Sequence, residues 1–175
     1  FGRKQMNILL HFNMRVKRLL DILMAVVIGT ICLPLMLIAA VIVKLGSKGP
    51  VLFVQERIGE LNRPFDMYKF RSMAQDAEKD GPQWAQKNDA RITRFGKFMR
   101  LTRIDELPQL WNVIRGDMSF VGPRPEREFF IKQLEKEIPY YNLRHTVKPG
   151  LTGWAQIMYQ YGSTIDDSYI KLQYD

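Results

Sequence analysis

The sequence predicts an α/β chain, mostly helical with a few short strands, that joins a membrane-embedded segment to a small polar domain. Three observations predict it. An uncharged apolar run, "ILMAVVIGTICLPLMLIAAVIV" from Ile22 to Val43, is long enough to cross a bilayer core of about 30 Å as a helix. Short alternating stretches follow it, and beyond them apolar residues recur at helical spacing. The 175 residues are 46% apolar, enough for one core and too few for two comfortable ones.

Charge and composition narrow the class. The chain holds 26 Lys and Arg against 18 Asp and Glu, a net +8, which implies an anionic partner such as nucleic acid, an acidic membrane surface or a phosphorylated substrate. One cysteine, Cys32, excludes an intramolecular disulfide and a Cys-rich zinc site. His11 and His145 are the only histidines, a poor basis for an imidazole metal site or triad. Residues 1–14 read as a linker from an upstream region outside this chain, 15–48 as the membrane segment and 49–175 as the polar domain.

Pro34 sits near the middle of the apolar run. It removes a helical hydrogen bond and clashes with the preceding turn, so a kink or break is expected around Cys32, Leu33 and Pro34. Arg15, Lys17 and Arg18 precede the run and Lys44 and Lys48 follow it, whereas a true span carries its positive excess on one side. A re-entrant hairpin and a proline-kinked span both stay open on these residues. The run is too long for a secretory signal and lacks its cleavage site.

"GSKGPVLFVQERIG" reads as a turn, a short strand from Val51 to Val54 and a polar exit, and "RPFDMYKFRSM" as a second extended stretch. Its period of two puts Lys69 and Arg71 on one face and Tyr68 and Phe70 on the other; the two cations are either solvated or aimed at one phosphate. Residues 74 to 89 are polar and carry a "DGPQ" turn, suiting a surface helix and loop. In "ARITRFGKFMRLTRIDEL", Arg91, Arg94, Lys97, Arg100 and Arg103 alternate with Ile92, Phe95, Phe98, Met99 and Leu101. Such a basic amphipathic helix suits an anionic membrane surface. No nucleic-acid-binding signature accompanies it.

"RIDELPQL" then sets Asp105 beside Glu106. Asp is a favoured N-cap and Pro is tolerated in a first turn, so a helix start is expected, with Leu107, Leu110, Trp111 and Ile114 as its apolar stripe. A strand from Met118 to Val121 and a stiff bend, "GPRP", come next. Two prolines restrict the backbone around Arg124, which suits either a rigid turn or a positioned guanidinium that matches phosphate oxygens. A helix from Glu126 to Ile138 carries Phe130, Leu134 and Ile138 on one face. Near the end, Lys148, Trp154, Tyr159 and Tyr161 could line an acceptor or nucleotide surface or form an interfacial belt. His145 has no obvious partner and reads as structural.

"KRLLDILMAVV", the proline-broken run, "KGPVLFVQERIG", "MYKFRSM", "RFGKFMR", "RIDELPQLWNVIRGDMSFVGPRP" and "KPGLTGWAQ" together resemble the bacterial sugar transferases known as monotopic phosphoglycosyl transferases. The resemblance runs from about Arg15 to the end and is closest to the longer initiators of exopolysaccharide, capsule or O-antigen synthesis. It implies transfer of a sugar 1-phosphate from a UDP-sugar to undecaprenyl phosphate, with release of UMP, at the cytoplasmic face of the bacterial inner membrane. It further implies Asp105 as nucleophile, through a covalent phosphosugar-aspartate intermediate, and Glu106 as its partner. Mg²⁺ would be held by Asp105 and Glu106, and phosphates by Lys69, Arg71, Arg100 and Arg124. The membrane segment of this family is a re-entrant helix-break-helix at a proline, here Pro34. Two other readings compete: a membrane-anchored glycosyltransferase releasing UDP, and a non-catalytic membrane assembly domain. The expected partners are therefore the UDP-sugar, undecaprenyl phosphate and an anionic phospholipid membrane, without nucleic acid. A homo-oligomer remains compatible with the sequence, and the sugar is not legible in it.

Overall fold

The computed structural model describes residues 2–74, 77, 81, 89–159 and 164–175, with side chains from residue 12 onward. Helix α1 spans Gly2–Gly46. Residues 2–14, expected as a linker, are its first turns, and the chain stays helical through Pro34 where a break was expected. The helix is long and apolar enough to cross a membrane. Leu23, Val27, Ile31, Leu37 and Ile38 are exposed, so most of the apolar run is left uncovered by the rest of the chain, as it would be in a membrane-embedded helix. One narrow stripe is different. Asp21, Ala25, Ala39 and Val43 are buried, with Ile28, Met36 and Ala40 packed beside them.

The polar domain rests on that stripe. Strands β1 (Leu52–Ile58) and β2 (Pro64–Phe70) form an antiparallel hairpin in register from Leu52↔Phe70 to Ile58↔Pro64. Leu61 and Asn62, at φ 55° and 60°, turn the chain between them. Helices α2 (Arg94–Thr102) and α3 (Gln109–Arg115) follow. The Thr93 hydroxyl caps α2 by accepting from the Gly96 amide at 2.9 Å, and Gly116, at φ 97°, ends α3, as helix-stop chemistry requires. Met67, Leu110, Val113 and Met118 enclose Ala25 in one core, and Phe70 and Met99 enclose Ala39 and Val43 in another.

Strand β3 (Ser119–Val121) pairs in parallel with β4 (Gly150–Thr152), a strand the sequence reading did not anticipate. Helix α4 (Glu128–Glu137) buries the expected stripe of Phe130 and Leu134, continued by Ile138, and adds Ile131. Helices α5 (Trp154–Met158) and α6 (Ile165–Leu172) close the chain. The surface helix and loop expected over 74–89 fall mostly outside the described residues, as does Tyr161.

Candidate active site

Asp105 and Glu106 do not start a helix. They lie in a single 3-10 turn, Ile104–Glu106, between α2 and α3, and no side chain caps it. Arg103 is the reason. Its left-handed backbone, φ 60° and ψ 15°, ends α2 and turns the chain sharply before the dyad. Helix α3 begins four residues after Asp105, behind Pro108. Trp111, expected on the buried stripe, is instead exposed, and Asn112 takes the interior position.

Both carboxylates are buried, yet their surroundings differ. Oε1 of Glu106 accepts from Arg124 Nη2 at 2.9 Å and from Lys69 Nζ at 3.2 Å, with Arg103 Nη1 at 3.6 Å. Burial alone would raise its pKa; Arg124 and Lys69 outweigh that and hold it at about 2. Asp105 has no comparable grip, and its Oδ1 is buried without a hydrogen-bond partner. Burial first and the neighbouring Glu106 second raise its pKa, against the pull of Lys69, Arg100 and Arg103. With no helix terminus beside it, these three cations are the groups that favour its ionised form. Lys69, in turn, is pushed down to about 8 by burial and then by Arg124, against the attraction of Glu106.

A strand, a helix, the dyad turn and a proline-flanked bend deliver these groups. Lys69 comes from β2, which is tied to α3 by Asn112: Tyr68 N donates to its Oδ1 at 3.1 Å, and its Nδ2 donates to the Asp66 carbonyl at 2.7 Å. Arg124 comes from the "GPRP" bend, which is laid directly on the segment around β4. Gly122 N donates to the Thr152 carbonyl at 3.0 Å and Gly150 N to the Pro123 carbonyl at 2.8 Å. A Cβ on either glycine would overlap the other strand's backbone, so the close approach demands glycine at both. Arg124 Nη1 then donates to Oε1 of Gln156 on α5 at 3.0 Å. Its carbonyl accepts from Arg144 Nη2 at 3.0 Å, and Arg144 also pairs with Asp175 at 2.7 Å.

The other expected cations are placed differently. Arg100 donates from Nε to Ser72 Oγ at 2.9 Å, and its charge acts on Asp105. Arg71 lies just past the end of β2 and is spent elsewhere. Its guanidinium donates to the Lys48 carbonyl at 2.5 Å, the Ser47 carbonyl at 2.9 Å and Ser47 Oγ at 2.8 Å, locking the chain just beyond α1. His145 faces Asn62 and Asn142 through Nδ1, at 2.6 and 3.2 Å, a structural setting as expected. Asn112 and Gln156 escaped the sequence reading. Asn112 had one signal, a polar residue inside an apolar helical run, whereas Gln156 had only its place in "GWAQ".

A family model described as bacterial sugar transferase matches residues 12–175. The chain belongs to the bacterial sugar transferase family. Among curated relatives, this sugar transferase domain is 52% identical over 160 residues to the UDP-N-acetylgalactosamine-undecaprenyl-phosphate N-acetylgalactosaminephosphotransferase of Aeromonas hydrophila, an alignment covering 91% of the chain and 38% of the relative. It is 49% identical over 162 residues to the UDP-glucose:undecaprenyl-phosphate glucose-1-phosphate transferase of Xanthomonas campestris pv. campestris, covering 91% and 34%. The Klebsiella pneumoniae protein of the latter name is 45% identical over 165 residues, covering 93% and 36%. The sugar transferase domain thus spans little more than a third of the length of these relatives.

Proposed function

We propose that this chain transfers a sugar 1-phosphate from a UDP-sugar to undecaprenyl phosphate and releases UMP. The observation that carries the reading is the asymmetry of the dyad: Glu106 is gripped by Arg124 and Lys69, while Asp105 presents a buried oxygen with no partner. A carboxylate without competing hydrogen bonds is the better nucleophile once ionised, and fixed cations around it suit an incoming diphosphate. In the first step an Asp105 oxygen bonds to the β-phosphorus as the bond to the UMP oxygen breaks. The charge left on UMP falls to Arg124 and Lys69. In the second, an oxygen of the lipid phosphate attacks that phosphorus, the acyl phosphate bond breaks and Asp105 is freed.

The same residues fit Mg²⁺. Among the described residues no third His, Cys, Asp or Glu joins the pair, and Mg²⁺ is commonly held by one or two carboxylates with waters and substrate phosphates. Asp105 and Glu106 would hold it, and when bound it supplies charge neutralisation on the diphosphate.

A re-entrant α1 on the cytoplasmic membrane face is part of this proposal. What supports it is that both ends of the apolar run rest on one body. Arg18 donates to the carbonyls of Val113 and Ile114 on α3, and Arg71 holds Ser47 and Lys48 beside β2. Asn112 joins α3 to β2. In a span, one end must leave the body for the far side of the bilayer. Cysteines placed at Val16 and Gly46 are expected to be labelled from the same side; labelling from opposite sides overturns the re-entrant reading.

For the chemistry, UDP-sugar labelled in the β-phosphate and given with Mg²⁺ but no lipid is expected to leave label on the wild-type protein and none on Asp105→Asn. Full turnover by Asp105→Asn overturns the nucleophile, and UDP as the product overturns phosphosugar transfer. The relatives' names differ in the sugar, so UMP release across a panel of UDP-sugars identifies the donor.

A further inference from the structure

Helix α5 turns two of its five residues inward. Trp154, Ile157 and Met158 are exposed, whereas Ala155 is buried and Gln156 partly so. Oε1 of Gln156 accepts from Arg124 Nη1 at 3.0 Å, and Arg124 Nη2 reaches Glu106 Oε1 at 2.9 Å. A guanidinium only donates, so the amide oxygen must face Arg124 and the amide nitrogen must face away from it. That nitrogen, Nε2, is buried and has no hydrogen-bond partner. Buried amide donors are almost always satisfied, so an open one two bonds from the dyad calls for a partner that the chain itself does not supply. Two bonds therefore link this open donor to the dyad, through a side chain that the glycine-on-glycine contact of Gly122 and Gly150 holds in place.

We propose that Gln156 is a substrate-binding residue whose Nε2 donates to a non-bridging oxygen of the nucleotide-sugar diphosphate while its Oε1 fixes the Arg124 fork. This rests on the phosphosugar-transfer reading above. The two halves of the amide separate the roles. Gln156→Glu keeps an acceptor for Arg124 but replaces the donor with an anion that repels phosphate. Gln156→Met keeps the volume and removes both. A residue that only steadies Arg124 tolerates the first change; one that touches the diphosphate tolerates neither.

The test uses detergent-solubilised protein with Mg²⁺. Isothermal titration with UDP and UMP-release kinetics with UDP-sugar and undecaprenyl phosphate are run on wild type and both variants, with melting curves to show that each is folded. The expected result is a rise of at least tenfold in the UDP Kd and in KM for UDP-sugar in both variants, with KM for undecaprenyl phosphate unchanged. A wild-type Kd and KM in folded Gln156→Glu overturns the proposal, as does an unaltered UDP Kd in folded Gln156→Met should the glutamate variant fail to fold. Wild-type protein that binds UDP yet releases no UMP defeats the reading of the reaction, while the UDP titrations still decide the role of Gln156.

Discussion

Asn112 is the residue whose loss should be felt furthest from where it sits. It is fully buried, and its amide makes three bonds: it accepts from Tyr68 N at 3.1 Å and donates to the Asp66 carbonyl at 2.7 Å and to Asp117 Oδ2 at 3.2 Å. Asn112→Ala strands a main-chain donor and a main-chain acceptor of β2. Each stranded group costs about 1–3 kcal/mol, and the vacated volume adds to it, so a loss of about 3 kcal/mol is expected. Domains of this size have only about 5–15 kcal/mol to lose. Asn112→Asp should do no better: it still accepts from Tyr68 but cannot donate to Asp66, and it sets a carboxylate against Asp117. Because Lys69 directly follows Tyr68, loosening this tie also moves the Lys69 ammonium relative to Glu106. Urea unfolding in detergent measures the first effect, and UMP release at a denaturant-free temperature well below the melting point measures the second. An alanine variant within about 0.5 kcal/mol of wild type would show that β2 is positioned by its hairpin alone and refute the reasoning.

Four further outcomes follow from the geometry. With Lys69 at about 8, kcat/KM for UDP-sugar should fall as pH rises through 8, to about a tenth at pH 9, and Lys69→Arg should abolish that limb. Stability moves the other way in the same window. The unfolded chain keeps this proton up to its ordinary 10.5, so between 8 and 10.5 it binds more protons than the folded one and the penalty that the buried charge puts on folding is relieved as pH rises, which urea midpoints across that range will register. Gly150→Ala should cost about 1–3 kcal/mol by overpacking against Gly122 and, by displacing Arg124, lower kcat by more than tenfold, read from melting curves and UMP release. Arg71→Leu should expose the chain at 47–50 to limited proteolysis and lower the melting point while leaving KM for UDP-sugar within twofold; a large rise in KM would return Arg71 to the phosphate.

Much of this architecture could be read from local pattern. Periodicity located α2, α4 and the β2 strand, because each is decided by residues a few positions apart. Strand β4 escaped because its partner β3 lies about thirty residues away, and three residues carry too little alternation to announce a parallel pairing. The dyad was expected at a helix start because Asp, Glu and Pro are start residues. What they cannot reveal is that Arg103 adopts a left-handed backbone, which makes the turn a separate unit. Arg71 shares a strand face with Lys69 by period, but the strand stops at Phe70 and the chain carries Arg71 to the end of α1 instead. Gln156 is the purest case of this kind, since its contact with Arg124 spans 32 positions and no local signal encodes it.

The buried stripe of α1 keeps a regular phase. Arg18, Asp21, Ala25, Ile28, Met36, Ala39 and Val43 lie on one line at steps of three and four residues, or multiples of them, on both sides of Pro34. Each residue advances a helix by about 100°, so one inserted residue anywhere between Ile28 and Met36 would swing the following half away from the domain. Seven would bring it back. The two halves of α1 are therefore geared to each other through the body they share, and the helix can drift in composition far more freely than in length.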